Sequence, residues 1–313
     1  MADMRAMKRH RRVNEILAGK AKSAKRAAGR ETNDGLEPDS LVIGIGPGVC
    51  TVVVDGVQRL CHTEMSVAPG DRVAIRREKV AAIAGRRTTL SRTDPANPLR
   101  ERVIAANIDV LVVVTAIVDP PFRSGLVDRY LVAAARGGIQ PILCVTKVDL
   151  CRDTRVADVY RETGVPVVCC SIADGTGIDE LRELLAGSLA VLAGHSGVGK
   201  SSLLNALAEE RRARTGQVSD GSGKGRHTTT SARLHELRNG ARIIDTPGIR
   251  EVGLGAVTAQ ELRAAFPEFA EQACRFRDCR HREEPECGVR EAVETDGIAR
   301  ARYASYLRIA GEF

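Results

Sequence analysis

The sequence predicts an α/β protein in three parts: a small β-barrel, a parallel sheet covered by helices on both faces, and a helical end built around a metal. Three observations predict it. From Ile104 onward, apolar runs alternate with amphipathic stretches, as strands buried on both faces require. Between Leu41 and Thr93, short β-rich runs are separated by Gly, Pro and Asp turns, the texture of a small all-β barrel. Near the C-terminus, Cys274, Cys279, His281 and Cys287 fall close together in a polar, helical stretch.

Residues 1–36 are rich in Ala, Lys and Arg and read as a basic disordered arm. Residues 1–30 hold ten Lys/Arg against Asp3 and Glu15, a surplus of eight, in a chain whose net charge is +7. A basic arm on a near-neutral body suits a polyanion partner; the other reading is a solvated tail that aids solubility. The arm is poor in acids, as transit peptides are, but its many Lys and single Ser point away from one. It lacks the apolar core of a secretory signal, and no apolar run reaches membrane-spanning length. Nine Cys without a secretory signal are expected as reduced thiols.

In the barrel region, "LVIGIGPGVCTVVVDG", "QRLCHTEM" and "DRVAIRREKVAAIAGR" supply the strands, and "RTDPANPLR", with two prolines, reads as a linker. Then follow the strand "IDVLVVVTAI", the helix "SGLVDRYLVAAARGG", the strands "IQPILCVTKVDL" and "VPVVCCSIA", and the helix "GIDELRELLAG". Next comes a strand–loop–helix, "SLAVLAGHSGVGKSSLLNALA", and a strand pair turning at "NG" within "ARLHELRNGARIIDTPGI". The expected divisions are 37–95 for the barrel, 96–255 for the sheet and 256–313 for the metal-binding end.

The strand–loop–helix carries G-x-x-x-x-G-K-S, Gly194 to Ser201. Backbone N–H groups turning inward around phosphate oxygens need the freedom of Gly194, Gly197 and Gly199. Lys200 supplies charge to the β/γ-phosphates and Ser201 a hydroxyl to Mg²⁺. His195, Ser196, Val198 and Ser202 complete the candidate phosphate-binding stretch, and the following helix turns its dipole toward the anion. "DTPG" fits a second phosphate motif: Asp245 reaches toward Mg²⁺ and Gly248 offers an N–H to the γ-phosphate. "GRHTTT", Gly225 to Thr230, lies where a γ-phosphate-sensing loop belongs, with Thr228 and Thr229 as candidates and Thr229 assigned to Mg²⁺.

"TKVDL", Thr146 to Leu150, ends an apolar strand upstream of the P-loop. In such a motif the Asp149 carboxylate accepts from the guanine ring N–H and amino group, a pair adenine lacks, and the Lys147 stem packs along the base. The usual first residue is Asn; Thr146 keeps a hydroxyl but loses the amide. "CSIA" ends the next strand and places Ser171 and Ile172 where the base is backed. The order base, base, P-loop, γ-phosphate loop, D-x-x-G is a cyclic shift of the ordinary one. A doubly wound sheet tolerates joined termini and a new opening, so the residues read as a circularly permuted P-loop GTPase.

These motifs, with the Cys/His cluster, resemble the RsgA (YjeQ) family of ribosome small subunit-dependent GTPases over roughly residues 37–313. The resemblance implies an N-terminal OB-fold, a permuted GTPase core, a C-terminal zinc-binding domain and particle-stimulated GTP hydrolysis in late small-subunit assembly. Its partners would be GTP/GDP, the small ribosomal subunit and its rRNA, and its setting the cytoplasm, as a monomer. The alternatives are a nucleotide-gated rRNA-binding module with negligible catalysis, and a permuted GTPase serving the large subunit.

Ile249 stands where Ras-type enzymes carry a water-orienting Gln. Slow intrinsic turnover is therefore expected, with His227 and Lys200 as catalytic candidates; the other reading of His227 is a contact to phosphate or RNA. Cys274, Cys279, His281 and Cys287 make three thiolates and an imidazole, a closed structural zinc site. Arg275, Arg277, Arg280 and Arg282 around it could face RNA phosphate or simply solvent. Residues 41–93 contain no Phe, Tyr or Trp, so nucleic-acid contact there would be electrostatic or backbone-led.

Overall fold

The structure is a computed structural model and describes residues 37–94, 97–215, 233–245, 254 and 257–312. Five strands come first: β1 (Ser40–Gly46), β2 (Val49–Val54), β3 (Val57–His62), β4 (Arg72–Arg76) and β5 (Lys79–Ile83). They close into a barrel in the order β1-β2-β3-β5-β4, an OB-type arrangement. Its interior is filled by small residues: Val42, Cys50, Val52, Cys61, Val67, Val73 and Val80. Asp55 and Gly56, both at positive φ, turn β2 into β3 as a two-residue hairpin demands. Buried Asp71 accepts from Arg86 and from the Ala68 N–H, tying the loop before β4 to the segment leaving the barrel.

The proline-containing stretch expected as a linker folds otherwise. β6 (Thr89–Asp94) and β7 (Asn97–Ala106) pair antiparallel, and Asp94 pairs with Asn97, so the chain doubles back there. The reason is packing. Leu90 and Ala105 are fully buried, and β6 lies against helix α1 (Ser124–Gly137) so closely that a Cβ on Gly137 would sit 2.0 Å from the Thr89 carbonyl oxygen.

The main sheet contains β8 (Val110–Ala116), β9 (Gln140–Thr146), β10 (Val167–Cys169), β11 (Leu189–Ala193), β12 (Arg233–Glu236) and β13 (Arg242–Asp245). Its order is β10-β9-β8-β11-β13-β12, parallel except for the β12–β13 hairpin. Successive residues of β8 point to opposite faces. Leu111 and Val113 join one core with α1 and with α2 (Arg155–Glu162). Val110, Val112 and Val114 join another with α3 (Ile178–Leu184) and α4 (Lys200–Thr215). The strand that feeds the P-loop, β11, is central although it is the fourth of the sheet along the chain. That is the permuted arrangement, and it sets the ends of β9 and β11 on the two sides of β8.

The C-terminal part holds α5 (Ala259–Ala264), a 3-10 turn (Pro267–Phe269), α6 (Gly288–Glu294) and α7 (Arg300–Ala310). Thr258 and Glu261 cap α5 reciprocally. Phe266 and Phe269, tilted on each other, both meet Tyr306 edge to face, and the three belong to the same core as α1 and one sheet face. Among the described residues no helix is long and apolar enough to cross a membrane, and the nine cysteines are free thiols.

Candidate nucleotide site and metal centre

β11 ends at Ala193 and the loop turns at once. A Cβ on Gly194 would sit 2.1 Å from the Val114 carbonyl oxygen, so only glycine lets the loop leave the sheet this close to β8. Gly197 and Gly199 take φ of 81° and 89°. Lys200 opens α4, its Nζ 2.7 Å from both the Gly194 and His195 carbonyl oxygens, which holds the ammonium under the loop. His195 Nδ1 lies 2.8 Å from the Ser196 carbonyl oxygen and donates to it. Ser196, Ser201 and Ser202 are accessible, whereas the Val198 side chain is buried in the core and leaves only its backbone for the loop.

The base motifs meet this loop. A methyl on Gly199 would stand 3.9 Å from both Thr146 Oγ1 and Ile172 Cδ1. Thr146, at the end of β9 and 1% exposed, donates its hydroxyl to the Val198 carbonyl at 2.6 Å, with the Thr115 carbonyl at 3.2 Å. The contact that an asparagine amide would supply is thus made by a hydroxyl, toward the P-loop rather than the base. Lys147 takes a left-handed φ of 61° and donates to the Asp119 carbonyl; Asp149 is half-buried two residues on. Ser171 is buried and spends its groups on its own loop: its N–H donates to Thr176 O, and its Oγ accepts from the Asp174 N–H. Ile172 is 39% exposed, an apolar surface at the strand end.

Asp245 is accessible at the end of β13, the neighbour of β11, so Ser201 and Asp245 leave adjoining elements. His227, Thr228, Thr229, Gly248 and Ile249 lie outside the described residues.

Three comparisons with known proteins bear on this arrangement. The family described as RsgA GTPase matches residues 83–255. A Photorhabdus laumondii protein named small ribosomal subunit biogenesis GTPase RsgA is 37% identical, covering 96% of this chain and 92% of its own. The chain belongs to the RsgA GTPase family. A Chlorobaculum tepidum RsgA of the same name is 43% identical over 78% of this chain and 84% of its own. Among solved structures, YjeQ from Thermotoga maritima aligns with a TM-score of 0.67 at 29% identity, covering 87% of this chain and 97% of that one. YloQ, described as a circularly permuted GTPase, aligns at 0.65 with 25% identity, covering 91% and 97%.

The metal ligands expected from this family converge as well. The ligand atoms of Cys274, Cys279, His281 and Cys287 lie within 4.8 Å of one another. Cys274 Sγ and Cys287 Sγ are 3.9 Å apart, and each is 3.5 Å from His281 Nδ1. A tetrahedral zinc with bonds of about 2.3 Å to sulfur and about 2.0 Å to nitrogen needs edges of about 3.5–3.8 Å, so the cluster fits such an ion. Burial, then Arg263, lowers the His281 pKa and favours the neutral imidazole a ligand must be. As a free thiol, Cys279 is pushed up to about 12 by burial, against an N–H from His281 that lowers it. Tyr303 and Tyr306 donate to the His281 and Arg280 carbonyls and clamp the knuckle to α7.

Sequence reasoning missed four residues. The Asp119 carbonyl that receives Lys147 acts through backbone, which leaves no mark in residue type. Pro120, whose Cδ stands 3.7 Å from a Cβ placed on Gly197, follows β8 in "IVDPPF", and its double proline is the one available signal. Arg302 and Asp128 form a buried pair at 2% and 0% side-chain exposure, from segments far apart in the chain.

Proposed function

We propose that this chain is a Mg²⁺-dependent GTPase of small ribosomal subunit biogenesis that docks on the particle with GTP and leaves after hydrolysis to GDP and phosphate. The observation that supports the reading is the meeting of Thr146, Ile172 and Gly199, which brings the strand ends read as base-binding against the loop read as phosphate-binding. The names of the relatives supply the particle. In this reading Asp149 accepts from guanine and Lys147 lies along the base. Ile172 backs the base while Ser171 fixes the loop beneath it. The Gly194–Ser202 stretch holds phosphates with Lys200. Ser201, Thr229 and Asp245 hold Mg²⁺, and Gly248 and Thr228 approach the γ-phosphate. A zinc ion sits on Cys274, Cys279, His281 and Cys287. The barrel, the metal-binding end and the basic arm of residues 1–36 contact rRNA, and the chain works in the cytoplasm as a monomer.

Ile249 favours one competing reading, a nucleotide-gated binding module that does not turn over, because an alkyl side chain cannot orient water. Multiple-turnover GTP hydrolysis with purified small or large subunits separates the readings. The enzyme reading expects stimulation by the small subunit alone, lost in His227→Ala with GTP binding retained. Absence of turnover with either particle would leave the binding module. Wild-type rates in His227→Ala would remove that residue from catalysis.

A further inference from the structure

We propose that Arg302, in the last helix of the metal-binding end, is a positioning residue for the nucleotide site, acting through the loop Asp119–Arg123. The inference rests on the GTPase reading above and adds a route by which the C-terminal end sets that site.

The route is a series of contacts. Arg302 is 2% exposed. Its guanidinium donates to Asp128 on α1, to Glu268 at 2.7 and 3.2 Å, and to the Ala265 carbonyl at 2.9 Å. It lies 4.2 Å from the Phe266 ring centroid and 5.5 Å from that of Tyr160 on α2. Tyr160 donates to the Ser124 carbonyl at 3.2 Å, the first residue of α1, and its ring is 6.1 Å from Phe122. Phe122 lies in the loop and Ser124 follows directly on it. Its front face reaches both ends of the nucleotide cleft: Asp119 O takes the Lys147 ammonium on the base side, and Pro120 lies against Gly197 on the phosphate side. One buried cation thus holds α1, α2 and the 3-10 turn against the back of the loop that steadies Lys147.

Stability alone is a poor reason for such a pair, since buried ion pairs are often replaceable by apolar residues at no loss. What a planar, many-donor guanidinium adds is fixed geometry among several elements.

The test is the rate at which fluorescent mant-GDP leaves the full-length protein with Mg²⁺, measured by chase in stopped flow, for wild type, Arg302→Met, Arg302→Lys, Asp128→Asn and Tyr160→Phe. Thermal stability and bound metal are recorded for each. Arg302→Met is expected to release mant-GDP about fivefold faster with its metal retained, the size of effect carried along packed networks. Arg302→Lys should rescue part of it, and Tyr160→Phe, which leaves the ring in place, should give about a twofold increase by the same reasoning. If Arg302→Met does not fold, Asp128→Asn takes over the expected fivefold increase and Tyr160→Phe keeps its twofold one. Wild-type release rates in folded variants, whatever their melting temperatures, would make Arg302 a structural anchor only and overturn the proposal. Wild type that binds no mant-GDP would overturn the GTPase reading, and this inference with it.

Discussion

At Thr146 a single hydroxyl fastens the end of β9 to the loop proposed to hold the phosphates. Its proton satisfies the buried Val198 carbonyl, and stranding such a group costs about 1–3 kcal/mol. Thr146→Val, close to isosteric, is therefore expected to lower the melting temperature and weaken GTP binding up to about tenfold, while Thr146→Ser stays near wild type. Equal GTP affinity in Thr146→Val would mean the contact does not shape the site. Asp149 sits three residues on, and the role proposed for it is electrostatic. If Asp149 accepts two charge-assisted hydrogen bonds from guanine, as proposed, at about 1.5–3 kcal/mol each, Asp149→Ala is expected to lose on the order of 100-fold in GTP affinity or more, while its melting temperature holds. Unchanged discrimination between GTP and ATP in this variant would contradict the assignment.

The elements differ in how openly the sequence declares them. β8, β9 and β11 read directly, because a strand covered on both faces is a continuous apolar run, as "VLVVV" shows. The P-loop read directly too, since close approach to β8 and positive φ both demand glycine. Helix α2 did not, because it buries only Ala157 and Tyr160 along eight residues. The β6–β7 hairpin was obscured by prolines that mark a connector as readily as a reversal. The Arg302–Asp128 pair joins α7 to α1, and nothing local to either helix announces it. The Cys/His cluster that could hold a metal was legible in its residues but not in its support. Glu284 accepts N–H bonds from Arg280 and Arg282, both at 2.8–2.9 Å, and from Glu283. Burial raises its pKa, but these backbone donors outweigh it and hold the carboxyl down at about 2. A carboxylate depressed in the folded state stabilises above its unfolded value and loses that contribution as pH falls through its folded one. Glu284→Gln is thus expected to release metal more readily than wild type at pH 7, the difference fading as pH drops from about 4.5 toward 2. A chromogenic chelator reads the release rate, and identical rates at neutral pH would show that the carboxylate does not support the knuckle.

For the whole molecule, the distribution of charge and aromatics sets how it meets a partner. The net charge of +7 and a barrel stretch without aromatic side chains favour phosphate contacts over base stacking. Association with the small subunit should weaken linearly in log–log coordinates as salt rises, and a salt-independent affinity would point to apolar contacts instead. The permutation itself was legible because each motif keeps its own chemistry wherever the chain is opened; what the order of motifs could not show is that the C-terminal end shares a core with α1 and the sheet. The proposed function requires one nucleotide to be held between Asp149 and Lys200 across β8. Isothermal titration of GDP with Mg²⁺ into wild type, Asp149→Ala and Lys200→Ala tests this most directly. One site per chain in wild type, lost in both variants, is the predicted result. Two independent sites, or wild-type affinity retained in Asp149→Ala while Lys200→Ala loses it, would contradict it.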